Sequence, residues 1–440
     1  MVNTTRDPRA SSSPGAWRWA VLGLSALLFV CSQFFRVANA VIAPELQHDL
    51  GLSSEALGAL SAAFFYGFAA AQVPLAIVLD RLGARWSMAA LSLVGAAGAV
   101  VFATAEQRAD ATLGRVLLGI GMAGNLMGAL KLIGHWFSAR EFATISGVLL
   151  AVGTAGNMLA TTPLALLVGA MGWRRSFELI AAVTAALAIL FWALVRERPG
   201  APGGAASGTA RLPVAEKVAR LLGSRDYWLI SFGAFCRYGA FLAIQGLWAG
   251  PYLVEVAGLS TIQASQLILL LNVAFVAGAP LGGWLSDRVL SSRKRVMLLA
   301  LGGIVAAELA FAASGRGWST WLIAATLVVL GVAASFGQVA FAHIKEIMPP
   351  EMSGMAMTGV NFFNMLGAAA FVHAMGWVLD RWSGVAGVRG VDGYRTAFLL
   401  GAAVVAVALG LYLLTGERRL GSQAGWSAEG EDPARSREIG

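Results

Sequence analysis

Four cationic side chains stand inside long apolar runs: Arg36, Arg115, Lys131 and Arg237. A basic side chain at the centre of a bilayer costs about 2.5–3.5 kcal/mol on insertion scales, so each needs a compensating role. No acidic residue lies at comparable depth in the runs that carry Arg36 and Arg237. A guanidinium presents a planar fork of donors that matches a carboxylate or phosphate. The chemistry open to this pair is therefore capture of an anion in a low-dielectric cavity. Asn39, Tyr66, Asn125, Tyr238, Gln245, Asn272, Gln338 and Asn361 are the polar residues best placed to recognise the rest of such a molecule, with Gln33, Gln72, Asn157 and Asn364 beside them. Singly, each is more often a hydrogen bond between helices, but as a set they indicate a polar lumen. Glu45, Glu178, Glu308, His343 and His373 are the candidate proton carriers, and His343 would titrate near neutrality if unperturbed.

The elements that must position these groups follow from composition. Of 440 residues, 58% are hydrophobic and only 13% are charged, about half the charge that keeps an ordinary soluble chain in solution. That composition excludes intrinsic disorder and a disulfide scaffold, since the only cysteines, Cys31 and Cys236, both lie in apolar runs. Twelve stretches have the length of a membrane-spanning helix. They run over 19–43, 56–79, 86–106, 110–134, 142–170, 175–195, 226–250, 262–286, 296–315, 318–344, 353–379 and 395–415. They show no sustained period-2 alternation, which argues against a barrel, the only spanning alternative. No small-residue cleavage site follows the polar start, so the first helix is expected to stay in the chain.

The net charge of +8 is scattered in short clusters between the apolar runs, which argues against nucleic-acid binding and for membrane orientation. Cytoplasmic loops are enriched in Lys and Arg. With both termini on one face, that face holds 21 of the 32 basic residues. The other holds seven: Arg108, Arg174, Arg175, Arg316, Arg381, Arg389 and Arg395. Both termini are thus expected in the cytoplasm, with the chain in a bacterial-type inner membrane. The expected divisions are a tail over 1–18, a six-helix bundle over 19–196, a linker over 197–225, a second bundle over 226–416 and a tail over 417–440. The linker is rich in Pro, Gly and Ala and ends in a short basic helix candidate.

An internal repeat supports the division. Pro44, Gly51-Leu52-Ser53 and Asp80-Arg81 return as Pro251, Gly258-Leu259-Ser260 and Asp287-Arg288, every member displaced by 207 residues. Gly172-Trp173-Arg174 through Phe177 corresponds in turn to Gly393-Tyr394-Arg395 through Phe398, displaced by 221. Parallel repeats of this kind suit two bundles rocking about a central site.

The paired loops carry a family resemblance. Asp80-Arg81-Leu82-Gly83-Ala84-Arg85 and Gly283-Trp284-Leu285-Ser286-Asp287-Arg288 resemble the signature loop of the major facilitator superfamily, and Arg115 through Gly121 is similar to a second motif of that family. Ala76 replaces a usual glycine in the first loop, and Ser291-Ser292 precedes the basic run of the second. The resemblance implies an all-α membrane protein of twelve helices in two pseudo-symmetric six-helix bundles, with spans one, four, seven and ten lining the cavity. Asp80, Arg81, Arg85, Asp287 and Arg288 are then expected to form gating latches on the cytoplasmic face, with Arg115 in a gating or proton-relay role. A further match, Gly376 to Asp380-Arg381, falls on the opposite face and is expected to cap a helix.

Span two and Gly134 through Glu141 are also similar to bacterial anion symporters and sugar-phosphate permeases. The expected function is secondary active uptake of a small organic anion or zwitterion, such as a carboxylate, amino acid or organophosphate, coupled to protons. Proton-antiport efflux of drugs or metabolites is the alternative, and a non-transporting sensor ranks third. No phosphate-cradling loop, HExxH or paired-cysteine spacing is present, so neither an enzyme nor a bound cofactor or metal is expected. The expected partners are the substrate, protons and the lipid bilayer, with the chain working as a monomer.

Overall fold

The computed structural model describes residues 14–196, 214–314, 318–382 and 390–417. All the regular structure among them is helical: α1 (Pro14–Val37), α2 (Asn39–Leu50), α3 (Ser54–Ala103), α4 (Arg108–Met122), α5 (Asn125–Trp136), α6 (Ala139–Leu159), α7 (Thr162–Met171), α8 (Trp173–Leu194), α9 (Val214–Leu222), α10 (Arg225–Ala243), α11 (Ala249–Glu255), α12 (Thr261–Trp284), α13 (Arg293–Ala313), α14 (Thr320–Phe336), α15 (Val339–Ile347), α16 (Pro350–Arg381) and α17 (Val391–Tyr412). Two π-helical turns, Ile244–Trp248 and Leu285–Val289, continue α10 into α11 and extend α12. Among the described residues, eleven helical stretches are long and apolar enough to cross a bilayer. The remaining expected crossing is the first limb of α3, residues 54–82.

Several spans are composite. The first joins α1 to α2 across Ala38, the fourth joins α4 to α5, the fifth joins α6 to α7 and the tenth joins α14 to α15. Spans two and three are expected to be separated by a loop; instead one helix bends between them at Gly83, with φ 79° and ψ 167°. Glycine tolerates this positive φ without a Cβ clash, so the signature loop is compressed into a single-residue kink. The helix candidate of the linker forms as α9, while residues 197–213 and both tails, 1–13 and 418–440, lie outside the described residues.

Helix ends follow their sequence signals. Ser53, Ser138, Ser224, Ser260, Ser292 and Ser319 each accept a backbone N–H in the first turn that follows, satisfying a donor that the helix itself leaves free. Within the first half, small residues let backbones meet. A Cβ on Gly119 would overlap the Phe64 carbonyl, and one on Gly67 would lie 2.6 Å from the Val116 carbonyl, so spans two and four touch main chain to main chain.

The apolar cores show how the halves relate. One continuous core runs through the whole second half and through the end of the first half remote from the chain termini. The other end of the first half keeps a separate core, built from Val21, Phe29, Leu79, Met88, Leu132 and Phe191 among others. The halves therefore merge at one end of the bundle, the distal face. They part at the other, the terminal face, which carries Pro14 and Glu417.

Substituting Gly119→Val would force spans two and four apart. Overpacking of this kind costs about 1–3 kcal/mol. A lower thermal midpoint and a smaller monodisperse fraction in detergent are the expected outcomes, with Gly147→Val, where an added Cβ meets only open space, as the neutral control.

Candidate functional site

Between the parted ends, polar side chains are exposed at mid-span. Tyr66 on span two is 41% exposed, Gln338 on span ten is exposed, and Arg36, Tyr238 and Asn361 are half-buried. The other large exposed side chains are mostly Leu, Val and Trp, so this polar exposure marks a polar cleft, the lumen, where the halves part.

Arg36 lies where the halves first touch. Its Nη1 donates to the Tyr238 hydroxyl at 2.8 Å, a bond from span one to span seven, and its guanidinium stands 5.1 Å from the Phe68 ring centroid. Nε is buried with no hydrogen-bond partner. No carboxylate among the described residues pairs with Arg36, so the surplus charge at this point is real. On the other side of the same tyrosine, the Arg237 guanidinium lies 5.4 Å from the ring. The two arginines do not occupy matching repeat positions, and Tyr238 is the residue that both contact.

Arg237 itself is closed off, at 1% exposure. Its Nη1 donates to the Ala334 carbonyl at 2.8 Å and Nη2 to Asn364 Oδ1 at 3.3 Å. The side chain passes over Gly337, where a Cβ would overlap Arg237 Cδ. Arg237 thus ties spans seven, ten and eleven together and does not line the lumen in this conformation.

Other expected site residues are drawn into contacts between helices. Asn39 donates to Ser61 Oγ at 2.9 Å. Asn125 accepts from Ser92 Oγ at 3.0 Å and donates to the Leu28 carbonyl at 3.2 Å. Gln245 donates to Asn272, which donates to the Ile268 carbonyl at 2.9 Å. All four are buried, because an amide in an apolar bundle must find partners before it can serve a ligand.

Arg115 lies apart from the other residues expected to gate. It is fully buried near the distal end of span four, donates Nη1 to the Phe35 carbonyl at 2.9 Å and stacks 4.9 Å from the Phe64 ring. Its Nε and Nη2 have no hydrogen-bond partner. The signature loops lie at the opposite end. The Asp80 side chain lies outside the described residues, and Arg81 and Arg288 are exposed. Arg85 Nε donates to the Trp192 carbonyl at 2.8 Å, and Asp287 pairs with Arg293, which also holds Glu346 at 3.0 Å. Each of these bonds stays within one half, as an open terminal face requires.

Two buried titratable groups of the second half differ in their hydrogen bonding. His343 is held at both ring nitrogens, by the Tyr412 hydroxyl at 2.7 Å and the Gly416 carbonyl at 3.0 Å. Glu308 on span nine is 3% exposed and its Oε2 has no hydrogen-bond partner. On the terminal face, Glu141 precedes the apolar stretch Thr144–Met171. The backbone N–H and hydroxyl of Ser138, followed by Arg18 at 3.3 Å, hold its carboxyl below the usual carboxylate range.

Sequence reasoning missed the aromatic faces under the arginines, Phe64 and Phe68. Their spacing from the arginines in the chain offers no signal; only helix packing brings them together.

This arrangement, two helical halves joined at one end around a polar lumen, is that of a multi-pass membrane transporter. A family model described as Major Facilitator Superfamily matches residues 24–291 and 251–436, and the chain belongs to that superfamily. It is 27% identical over 305 residues to the "Probable sulfoacetate transporter SauU" of Cupriavidus necator, covering 67% of this chain and 70% of that one. It is 23% identical to the "Probable galactarate/D-glucarate transporter GudP" of Bacillus subtilis, covering 91% and 92%. Among solved structures, the fold matches a bacterial homologue of the human lysosomal transporter Spinster, in an inward-facing and occupied conformation. There the TM-score is 0.76 at 18% identity, over 92% of this chain and 97% of that one.

Two outcomes are expected. Gly337→Ala should destabilise the protein by about 1–3 kcal/mol through overlap with Arg237, whereas on an Arg237→Ala background the same change should be close to neutral; thermal midpoints of the four proteins measure the coupling. Secondly, the depressed Glu141 carboxyl stabilises above the ordinary carboxylate pKa of about 4.3 and loses that contribution only as pH falls through its lower folded value. Glu141→Gln should therefore leave the shape of a transport profile between pH 5 and 8 unchanged.

Proposed function

We propose that this protein takes up a small organic anion, a carboxylate or sulfonate in preference to a phosphate ester, by alternating access coupled to protons. The observation that carries the reading is Arg36: a half-buried guanidinium at the junction of the halves, bonded to a neutral hydroxyl and not to a carboxylate. A negatively charged ligand arriving through the lumen gains a charge-assisted hydrogen bond there, and the fork of Arg36 gives it orientation as well as attraction. Tyr66, Gln338 and Asn361 are the lumen groups that remain free to contact the uncharged part. The relatives named as sulfoacetate and galactarate/D-glucarate transporters support an acidic substrate.

Because Tyr238 bonds to Arg36 and lies against Arg237, binding at Arg36 reaches both halves at once. An anion that displaces the Tyr238 hydroxyl loosens the one side-chain bond of the seam nearest the lumen, which suits a change of access. The termini then lie in the cytoplasm, with the lumen opening inward. Asp80, Arg81, Arg85, Asp287 and Arg288 are left to close that face in the alternate state. The chain functions as a monomer, since each monomer holds a complete lumen.

The test is uptake of labelled sulfoacetate, glucarate, tartrate and a hexose phosphate into proteoliposomes, with and without an imposed pH gradient. Saturable uptake of a dicarboxylate or sulfonate, stimulated by the gradient and reduced at least tenfold in Arg36→Ala and in Arg36→Lys, is expected. Equal uptake by Arg36→Ala would remove the anion assignment, and uptake indifferent to the gradient would remove proton coupling.

A further inference from the structure

We propose that Asp380 is a distal latch that holds the halves closed from the side opposite the lumen, by capping the first helical turn of span two from the other half of the molecule. The Ser54 N–H donates to Asp380 Oδ1 at 3.0 Å, linking the start of α3 to the end of α16. Around this bond the backbones are in close contact: a Cβ on Gly376 would lie 2.6 Å from the Ser54 carbonyl, and one on Gly58 would lie 3.0 Å from the Val372 carbonyl. The carboxylate therefore sits on a helix N-terminus, where free N–H groups and the helix dipole favour negative charge. The adjacent Arg381 forms no ion pair with it among the described residues, and its guanidinium lies 4.6 Å from the Trp377 ring.

The repeat shows that the start of span two is capped less completely by its own residues than the start of span eight. In the second half, Ser260 begins span eight with a complete capping box, its own N–H accepted by Gln263 Oε1 at 3.0 Å. The matching pair in the first half is Ser53 and Ala56, and alanine has nothing to return. The Ser53 N–H therefore lacks the acceptor that Ser260 has, and Asp380 takes the next free donor of the same turn, the Ser54 N–H, from across the seam. At the opposite edge of the distal face, between spans five and eight, the side-chain hydrogen bond among the described residues is a hydroxyl pair, Thr162 with Ser265 at 3.3 Å. The closed face is held unequally, with its charge on the edge between spans two and eleven. Opening that edge breaks the cap, so the latch biases the resting protein toward an outward-closed, terminal-open state.

The inference rests on the reading that the distal face opens during turnover. A reporter cysteine at Val41, which is 5% exposed and lines the seam with Gly250, Val254 and Ser265, measures that opening. Labelling by an impermeant maleimide from the distal side is followed in proteoliposomes, with the protein lacking the reporter as background, since Cys31 and Cys236 are buried. Asp380→Ala is expected to raise the rate about two- to fivefold, the range for a carboxylate on a helix N-terminus. Ser54→Pro removes the same bond from the other side while keeping a residue favoured at the first helical position. It should raise the rate similarly, and the double variant should label no faster than either single one. Thr162→Ala should change the rate less than twofold. Monodisperse elution of each variant controls for folding. Unchanged rates in both single variants, or increases that multiply in the double, overturn the latch. A reporter that stays unlabelled in every protein, even with an anion and a pH gradient present, overturns the latch and the opening together.

Discussion

A guanidinium inside a bilayer has to be solvated by the protein, because lipid tails offer it nothing. Three arginines meet that constraint in three ways, and most of the architecture near the lumen follows from them. Arg115 is sealed against aromatic faces and one backbone carbonyl. Arg237 is threaded over Gly337 to a carbonyl and an amide oxygen, which forces spans seven, ten and eleven into register. Only Arg36 remains half-buried, with a hydroxyl as its partner. The first two solutions tie helices together within the halves; the third leaves a part-exposed positive charge at the junction of the halves.

The same logic separates structural amides from those facing the lumen. Asn39, Asn125, Gln245 and Asn272 are consumed by helix contacts, and an amide so engaged cannot also serve a ligand without leaving a buried group unpaired. The polar wall that remains is short: Arg36, Tyr66, Tyr238, Gln338 and Asn361. Tyr238 links it to the rest, because one ring contacts both the arginine of span one and the arginine of its own helix.

Closure at the distal face is built from backbone proximity and one charge. Glycines at 58, 250 and 376 bring helices of opposite halves within main-chain contact, and Trp248 fills the space beneath them, its Nε1 donating to the Val372 carbonyl at 3.0 Å. Small residues give close packing but little directional preference. The Asp380 cap adds direction, and its position on one edge makes the two seams of the pseudo-symmetric molecule unlike each other.

The sequence by itself determined the membrane location, the helical class, the two halves and the arginines that need explaining, because apolar run length, basic-residue asymmetry and a constant repeat offset are properties of the chain alone. It also placed Asp380 at a helix cap on the distal side, though not which helix. Only the tertiary structure decided that Arg36 bonds to Tyr238 of the other half, that Arg115 is sealed at the end opposite the signature loops, and that Asp380 reaches across to Ser54. Those outcomes depend on which faces of non-adjacent helices meet. Helical periodicity assigns a side chain to a face, but the partner of that face is set by the packing of glycine-lined surfaces hundreds of residues apart.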